Sequence, residues 1–274
     1  MGAARTSAFT KSTTARKSAF AVVTLSVGAT MLVAGLGSPA LAATGCPSGA
    51  TLVGTSCEVV FTSSPSSAWT PPAGVTRVDA LLVGAGGAGL YQYGGGGADV
   101  QIVTLATTGD VTVTVGVGVD GDYSSDEDST VTQGSNTTTA AGGLAPESSS
   151  NTFGGSSGNG YESLFTGGSG AGGSADDNDG GLGLVVSDIP DAAGTLFADD
   201  TSCYGGGGAS YFNVNDLGSV APGCGGGSTT DTTSTTGVAP VANSGGGGGS
   251  WYEYNVGWHG QKGADGKVVL RYPA

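Results

Sequence analysis

The apolar positions of this chain fall in short stretches of β-branched residues, bounded by glycine and other turn residues. Stretches of that kind are typical of β-strands. From Val111 to Val115, apolar and polar residues alternate strictly, which indicates an antiparallel strand with one buried face. After residue 42, no helical periodicity extends over about 11 residues. The pattern predicts an all-β protein whose clearest strands are Val75–Val83, Val100–Leu105, Val111–Val119 and Lys267–Tyr272.

Glycine runs separate these stretches, and 55 of the 274 residues are glycine. Such a run either stays a flexible linker or packs as a bundle of polyproline-II-type helices, which have no internal hydrogen bonds. Aromatic residues such as Tyr93, Tyr204 and Trp251 adjoin the runs and need a surface to pack on. We therefore expect an ordered polyglycine-II bundle. The runs are Gly94–Gly97, Gly205–Gly208, Gly225–Gly227 and Gly245–Gly249, and the last three begin 20 residues apart, as stacked units do.

Two segments, 124–150 and 228–244, are rich in serine and threonine and poor in large apolar residues. Composition of this kind predicts mobile loops. Loops that project from a rigid support are common places for binding residues.

Residues 1–42 have the features of a secretory signal peptide. Four basic residues precede an apolar stretch from Ala19 to Leu36, and Ala40-Leu41-Ala42 forms a small-residue cleavage motif. We expect cleavage after Ala42, which leaves one domain over 43–274 without a second membrane span. Two alternatives remain open: an uncleaved membrane anchor, and a cell-surface lipoprotein acylated at Cys46.

All four cysteines follow the expected cleavage point, and an even number in an exported chain suggests disulfides. Four cysteines allow three pairings, of which we expect the local one, Cys46–Cys57 with Cys203–Cys224. The first disulfide would make 43–74 an N-terminal, disulfide-linked strand region. Zinc binding is the rival interpretation, but the cysteine spacings do not suit zinc and His259 is the one histidine.

The chain is strongly acidic, with 22 acidic and 8 basic residues and a formal net charge of −14. Four of the basic residues precede the expected cleavage point, so the mature charge would be 4 − 22 = −18. A surface of this charge repels phosphate backbones and anionic lipid head groups. We therefore expect no nucleic-acid partner.

No catalytic motif is complete in the sequence. Residues 84–89 match G-x-G-x-x-G, but a dinucleotide site needs a following helix, and here the chain continues into four more glycines. A serine hydrolase would depend on His259, and no G-x-S-x-G motif presents a serine. We expect neither enzymatic activity nor an organic cofactor.

A weak candidate for calcium binding is the acidic segment near residue 120. Its carboxylates are ligands that calcium favours, although the spacing does not match a twelve-residue EF-hand loop. Solvated acidic loops are the competing interpretation. The candidate ligands are Asp120, Asp122, Asp126 and Asp128.

An aromatic cluster lies directly after the last glycine run. If exposed, these side chains would stack on sugar rings or anchor a protein partner. If buried, they would close the core, which is the more frequent role of aromatic residues. The cluster consists of Trp251, Tyr252, Tyr254 and Trp258.

Two motifs frame the glycine-rich region: WTPPAGV at 69–75, which leads into the strand at 78–83, and GADGKVVLRY at 263–272. On these residues the chain resembles secreted bacterial glycine-rich-domain proteins. Their glycine-rich module is similar to the extracellular glycine-rich domain of the anaplastic lymphoma and leukocyte tyrosine kinase receptors. The resemblance implies a tumour-necrosis-factor-like, jelly-roll antiparallel sandwich with inserted polyglycine-II-type helices. It also implies binding of a polypeptide outside the cell, without kinase activity, because the chain has no H-R-D or D-F-G motif.

Together these observations predict a non-catalytic, secreted or cell-surface protein that adheres to, or recognises, a protein or glycan partner. A purely structural role in an envelope or matrix is the first alternative. The second is a calcium-dependent glycan binder that uses the acidic segment and the aromatic cluster.

Overall fold

Thirteen β-strands lie within the residues that the computed structural model describes. Those residues are 45–62, 66–118, 120, 127–146, 155–158, 160–162, 168–175, 179–210, 223–227, 237–253 and 257–274, with only the backbone of 252 and 253. They belong to one compact unit, Ala43–Ala274. The expected signal peptide, 1–42, lies outside them.

The strands form two larger antiparallel sheets and two hairpins, which confirms the all-β prediction. The first sheet has the order β1-β2-β13-β4-β5 and the second β3-β6-β7-β8, while β9 pairs with β10 and β11 with β12. Three short 3-10 turns lie at Val186–Asp188, Pro190–Ala192 and Gly223–Gly225. The strands are β1 (Thr51–Val53), β2 (Ser56–Phe61), β3 (Ser67–Trp69), β4 (Val78–Val83), β5 (Val100–Leu105), β6 (Val111–Thr114), β7 (Ser129–Gln133), β8 (Asn136–Ala140), β9 (Leu184–Val185), β10 (Cys203–Tyr204), β11 (Ser250–Glu253), β12 (Gly257–Gly260) and β13 (Lys267–Pro273).

Strand β4 is buried on both faces, because a hydrophobic core lies on each side of the first sheet. One core lies between the two sheets, where Leu82 of β4 and Leu270 of β13 meet Val113 of the second sheet. The other core lies on the opposite face, where Leu81 is covered by Phe197 from the segment 186–201. The sequence of a strand covered on both faces is a nearly continuous apolar run. β4 fits this rule, because Asp79 is its one polar residue.

Glycine segments bond to one another rather than within themselves. Gly95 donates its N–H to the carbonyl of Gly248 (2.8 Å) and accepts the N–H of Gly208 (2.8 Å). Gly247 likewise donates to Gly206 (2.8 Å) and accepts from Gly227 (2.7 Å). Hydrogen bonds between segments satisfy buried backbone groups that have no partner inside their own segment. The glycine runs therefore form an ordered, buried array, and the flexible-linker interpretation is wrong for them.

The segment 124–150, expected to be a mobile loop, contains strands β7 and β8 in its described part. Thr130, Thr132, Thr137 and Thr139 alternate with residues that face the core, and β-branched threonine suits such a surface. A two-residue turn with Gly134 at φ 62° joins the strands, as tight hairpins with glycine at the first turn position do. Low apolar content alone therefore gave a wrong prediction here.

Two other boundaries differ from expectation. The strand predicted at Val111–Val119 ends at Thr114, because the next residues join the glycine array, where Gly116 accepts a backbone hydrogen bond from Gly266 (2.9 Å). In the second expected loop, 237–244 is described, and Val241 donates its backbone N–H to Gly225 (2.8 Å). This part of the segment is fastened to a glycine run.

Both expected disulfides are present, and they tie down different parts of the molecule. Cys46 and Cys57 are joined with their Cα atoms 5.4 Å apart, which attaches the chain before β1 to β2. Cys203 and Cys224 are joined at a Cα distance of 5.0 Å, which holds β10 next to the start of the Gly225 run. Disulfides of this kind are compatible with an extracellular location.

We predict that Gly247→Ala lowers the free energy of unfolding by about 3 kcal/mol, at the upper end of the cost of overpacking. A Cβ at Gly247 would overlap the backbone carbonyl of Gly95, which cannot rotate away as a side chain can. Urea unfolding with intact disulfides measures the change.

The matched control for this prediction is Gly173→Ala. A Cβ at Gly173 has no neighbouring atom within 4 Å, and its φ is not in the left-handed region. We expect a change within about 0.5 kcal/mol, as for other surface substitutions. Equal losses for the two variants would contradict the backbone-packing explanation.

Candidate functional site

A cleft of about 520 Å³ opens at the outer face of the first sheet, beside its edge strand β1. Its volume is in the range of small-ligand sites. One wall is the turn between β1 and β2, the other is the segment 195–201, and the Arg271 side chain of β13 lies between them. Besides Arg271, the lining residues are Val53, Gly54, Thr55, Ser56, Thr195, Leu196, Ala198, Asp199, Asp200 and Thr201.

A row of polar residues crosses the outer face of the sheet directly beneath this segment. The strand register places Glu58, Arg271, Asp79 and Thr104 side by side on β2, β13, β4 and β5. Because residues directly opposite each other on neighbouring strands point to the same side of a sheet, the four side chains share one face. The row is the polar floor on which the segment 195–201 rests.

Asp79 is fully buried and fastens the segment to the sheet. Its carboxylate accepts hydrogen bonds from the Nε of Arg77 (2.8 Å), the hydroxyl of Thr104 (2.7 Å) and the backbone N–H of Leu196 (2.8 Å). With these donors, the hydrogen-bonding capacity of the buried carboxylate is satisfied. Asp79 therefore sets the position of the cleft wall that Leu196 belongs to.

Arg271 connects the sheet to the same segment from the cleft side. Its Nε donates to Glu58 (2.8 Å), one Nη lies 2.7 Å from the carboxylate of Asp200, and the guanidinium carbon lies 4.3 Å from the centre of the Phe197 ring. The other Nη donates to the backbone carbonyl of Leu196 (3.4 Å). Hydrogen bonds, an ion pair and a ring contact on several sides hold the planar guanidinium in one orientation.

The network acts on the pKa of Asp200. Burial alone would raise the pKa of its carboxyl, but hydrogen bonds from Ser202 and the charge of Arg271 outweigh burial and lower the pKa below its usual value. The ionised form is therefore the one that the fold stabilises.

The charges of the cleft do not cancel. Arg271 is balanced by Glu58 and Asp200, while Asp199 is exposed and has no hydrogen bond or ion pair to any residue that the structure describes. Among the lining residues, Asp199 and Asp200 are acidic and Arg271 is basic, so the lining of the cleft is negative by one charge. It therefore suits cationic or neutral polar groups and repels anions. His259, on β12, does not line it.

The predicted aromatic cluster lies elsewhere, on the hairpin of β11 and β12. Trp251 stacks on the ring of His259 with centroids 5.1 Å apart, and Trp258 is 38 % exposed. Neither tryptophan belongs to the two hydrophobic cores formed by the described residues, and the exposure of Trp258 differs from the expected core-closing role. The side chain of Tyr252 and all of Tyr254 lie outside the described residues.

Two of the four predicted calcium ligands are described. Asp120 is exposed, and a carboxylate oxygen of Asp128 accepts the backbone N–H of Gly142 (2.9 Å). Asp122 and Asp126 lie outside the described residues. In the ranges that are described, no group of three or more histidine, cysteine, aspartate or glutamate side chains is placed to hold a metal ion.

The G-x-G-x-x-G segment, 84–89, has a structural role. A Cβ at Gly86 or Gly89 would overlap backbone atoms of the Gly245–Gly249 run, and Gly86 donates to the carbonyl of Ala264 (2.9 Å). The glycines are thus needed for backbone contact. Among the described residues, no helix is long and apolar enough to cross a bilayer.

Sequence reasoning did not identify the cleft. Asp200 and Arg271 are far apart in the chain, and Arg271 lies 213 positions from Glu58. One signal was available: Asp79 interrupts an otherwise apolar strand, and Arg271 directly follows the apolar residues Val268–Leu270 of β13. A charged residue in such a strand needs a partner on the same face.

A family model described as a glycine-rich domain matches residues 62–273. The matched range begins directly after β2 and includes every strand from β3 to β13, together with all the glycine runs. No curated protein matches the chain.

We predict that Asp200→Asn lowers the free energy of unfolding at pH 7 by about 2 kcal/mol, the usual cost of losing a hydrogen bond to a charged group. Because the folded pKa of Asp200 is depressed, its contribution is complete above the unfolded value near 3.9 and is lost as pH falls through the folded value. Urea unfolding at pH 7 and at stepwise lower pH measures both effects.

The control is Asp188→Asn, which removes an exposed carboxylate from the same region. We expect it to change stability by less than about 0.5 kcal/mol at any pH. An Asp200→Asn deficit that stayed constant into strong acid would contradict the assigned pKa direction.

Proposed function

Because the chain belongs to the glycine-rich domain family, we propose that it is a non-catalytic recognition protein that acts outside the cell. The observation that carries the proposal is the cleft, which a half-buried ion network supports on a scaffold of packed backbone. Preformed concave sites with a few fixed polar groups are typical of binding sites. The partner would be a protein or glycan of a cell surface or matrix.

The location outside the cell is part of the proposal. The sequence features of 1–42 favour export, and the two disulfides are compatible with it. Cys46 forms a disulfide with Cys57. Since an acylated Cys46 would have no free thiol for that bond, we favour a released product over one anchored by lipid.

A rigid scaffold suits recognition because it reduces the entropy lost on binding. The glycine array has few side chains to order, and its backbone groups are already paired with one another. The cleft wall formed by 195–201 is likewise fixed, because Asp79 accepts the backbone N–H of Leu196 and Arg271 donates to the Leu196 carbonyl. We also propose that the bonded glycine segments are polyglycine-II-type helices, since hydrogen bonds between neighbours are the expected mode for them.

A structural role in an envelope or matrix is the second candidate, and the edge strand β8 favours it. Asn136–Ala140 carries no charged residue, whereas sheet edges are usually protected from pairing by charge or proline. Two acidic copies repel each other at low ionic strength, and salt screens that repulsion. Association that increases with salt, without binding to foreign surfaces, would favour this candidate.

Calcium-dependent glycan binding remains the third candidate. It would use the carboxylates near Asp120 and the exposed ring of Trp258. Sensitivity of binding to a chelator separates it from the first candidate, because the cleft requires no metal ion in our proposal.

We predict that the oxidised protein binds saturably to at least one surface in a panel of cells and insoluble glycans, with or without chelator. Ala198→Trp, which fills the cleft, should weaken that binding about tenfold or more, corresponding to about 1.4 kcal/mol. Ala193→Trp adds the same ring to an exposed site of the same segment outside the cleft and should have no effect. Thermal melting checks that both variants fold.

No saturable binding to any surface would reject the recognition proposal and favour the structural one. Saturable binding that Ala198→Trp leaves unchanged would keep recognition but move it away from the cleft. Binding lost with chelator would favour the calcium-dependent candidate.

A further inference from the structure

The cleft adjoins a free sheet edge. β1 is the outermost strand of the first sheet and pairs with β2, so the backbone groups of alternate residues face away from the sheet. In the described part of the molecule, no other segment bonds to the backbone of Thr51–Val53. The strand is exposed along its length and uncharged. An extended peptide can add to such an edge through main-chain hydrogen bonds.

The register places the cleft within reach of that edge. Val53 pairs with Ser56, and both residues line the cleft, so the outer face of β1 continues into it. In an added strand, every second side chain would point to this same face. One side chain of a paired peptide would thus enter the cleft while its neighbours point away.

The cleft offers two kinds of surface to such a side chain. Val53, Leu196 and Ala198 supply apolar wall, and the exposed carboxylate of Asp199 lies next to them in the lining. Long basic side chains combine an apolar stem with a charged end and bury the two parts separately. The net negative charge of the cleft, and of the whole chain at −14, favours a cation over an anion.

We propose that the cleft binds a lysine or arginine side chain of a protein partner, presented on an extended segment that pairs with the free edge of β1. Its charged end would meet Asp199, and its stem would pack on Leu196 and Val53. This inference rests on the recognition function proposed above and names the chemistry of the partner.

The test uses a short capped peptide, Thr-Val-Lys-Val-Thr, and isothermal titration calorimetry with the oxidised protein. We expect it to bind about threefold or more tightly than the same peptide with norleucine in place of lysine, the factor typical of an exposed ion pair. The advantage should disappear at high salt, which screens such a pair. N-methylation of the valine amides should abolish binding, since it blocks pairing with the strand edge.

A matched pair of protein variants assigns the charge to Asp199. Asp199→Asn should reduce the affinity for the lysine peptide to that for the norleucine peptide, and Asp199→Lys should abolish binding. Asp188→Asn and Asp188→Lys make the same charge changes outside the cleft and should leave the affinity unchanged. Equal affinities for the two peptides, or equal effects at both aspartates, would overturn the inference.

Two outcomes separate this inference from the function on which it rests. If the protein binds a cell surface saturably but Asp199→Asn has no effect and neither peptide binds, the lysine site is wrong and recognition stands. If glucosamine inhibits binding of the protein to that surface while the peptides do not bind, the bound cation belongs to an amino sugar. The proposed lysine or arginine side chain is then rejected. If no surface is bound in the first place, the recognition function itself fails.

Discussion

Close packing of bare backbone is the constraint on which the rest of the structure depends. At Gly95, Gly208 and Gly247 a Cβ would overlap a carbonyl of a neighbouring segment, so these positions accept no other residue without moving backbone. The same proximity lets each segment donate hydrogen bonds to the next. Glycine loses more conformational entropy on folding than any other residue. The hydrogen bonds between segments and the Cys203–Cys224 disulfide offset that cost.

The constraint separates the molecule into parts held by different forces. The two sheets enclose a conventional apolar core around Leu82 and Leu270. The glycine array has few apolar side chains and is held largely by backbone hydrogen bonds. The outer face of the first sheet adds a polar row with Asp79 and Arg271 beneath the segment 195–201. The polar side chains that form the cleft therefore lie on the first sheet and the segment above it, and not in the glycine array.

Sequence patterns predicted the parts that depend on local regularity. The apolar run at Val78–Val83, the alternation from Val111 and the ordered packing of the glycine runs followed from period and composition, as did both disulfides. β7 and β8 were missed because strand preference in threonine depends on what the opposite face packs against. The cleft was missed because it joins residues from β1, β13 and the segment 195–201, and no sequence period encodes such contacts.

The ion network also explains why a charged residue is tolerated in the most buried strand. Asp79 without partners would be costly in a fully buried position, yet replacement by an apolar residue would leave Thr104 and the N–H of Leu196 without their acceptor. Such networks favour one arrangement over others even where they add little net stability. Here the arrangement that Asp79 selects is the one in which Leu196 and Asp199 form a wall beside a free strand edge. The position of a buried aspartate thus determines the shape of an exposed cleft.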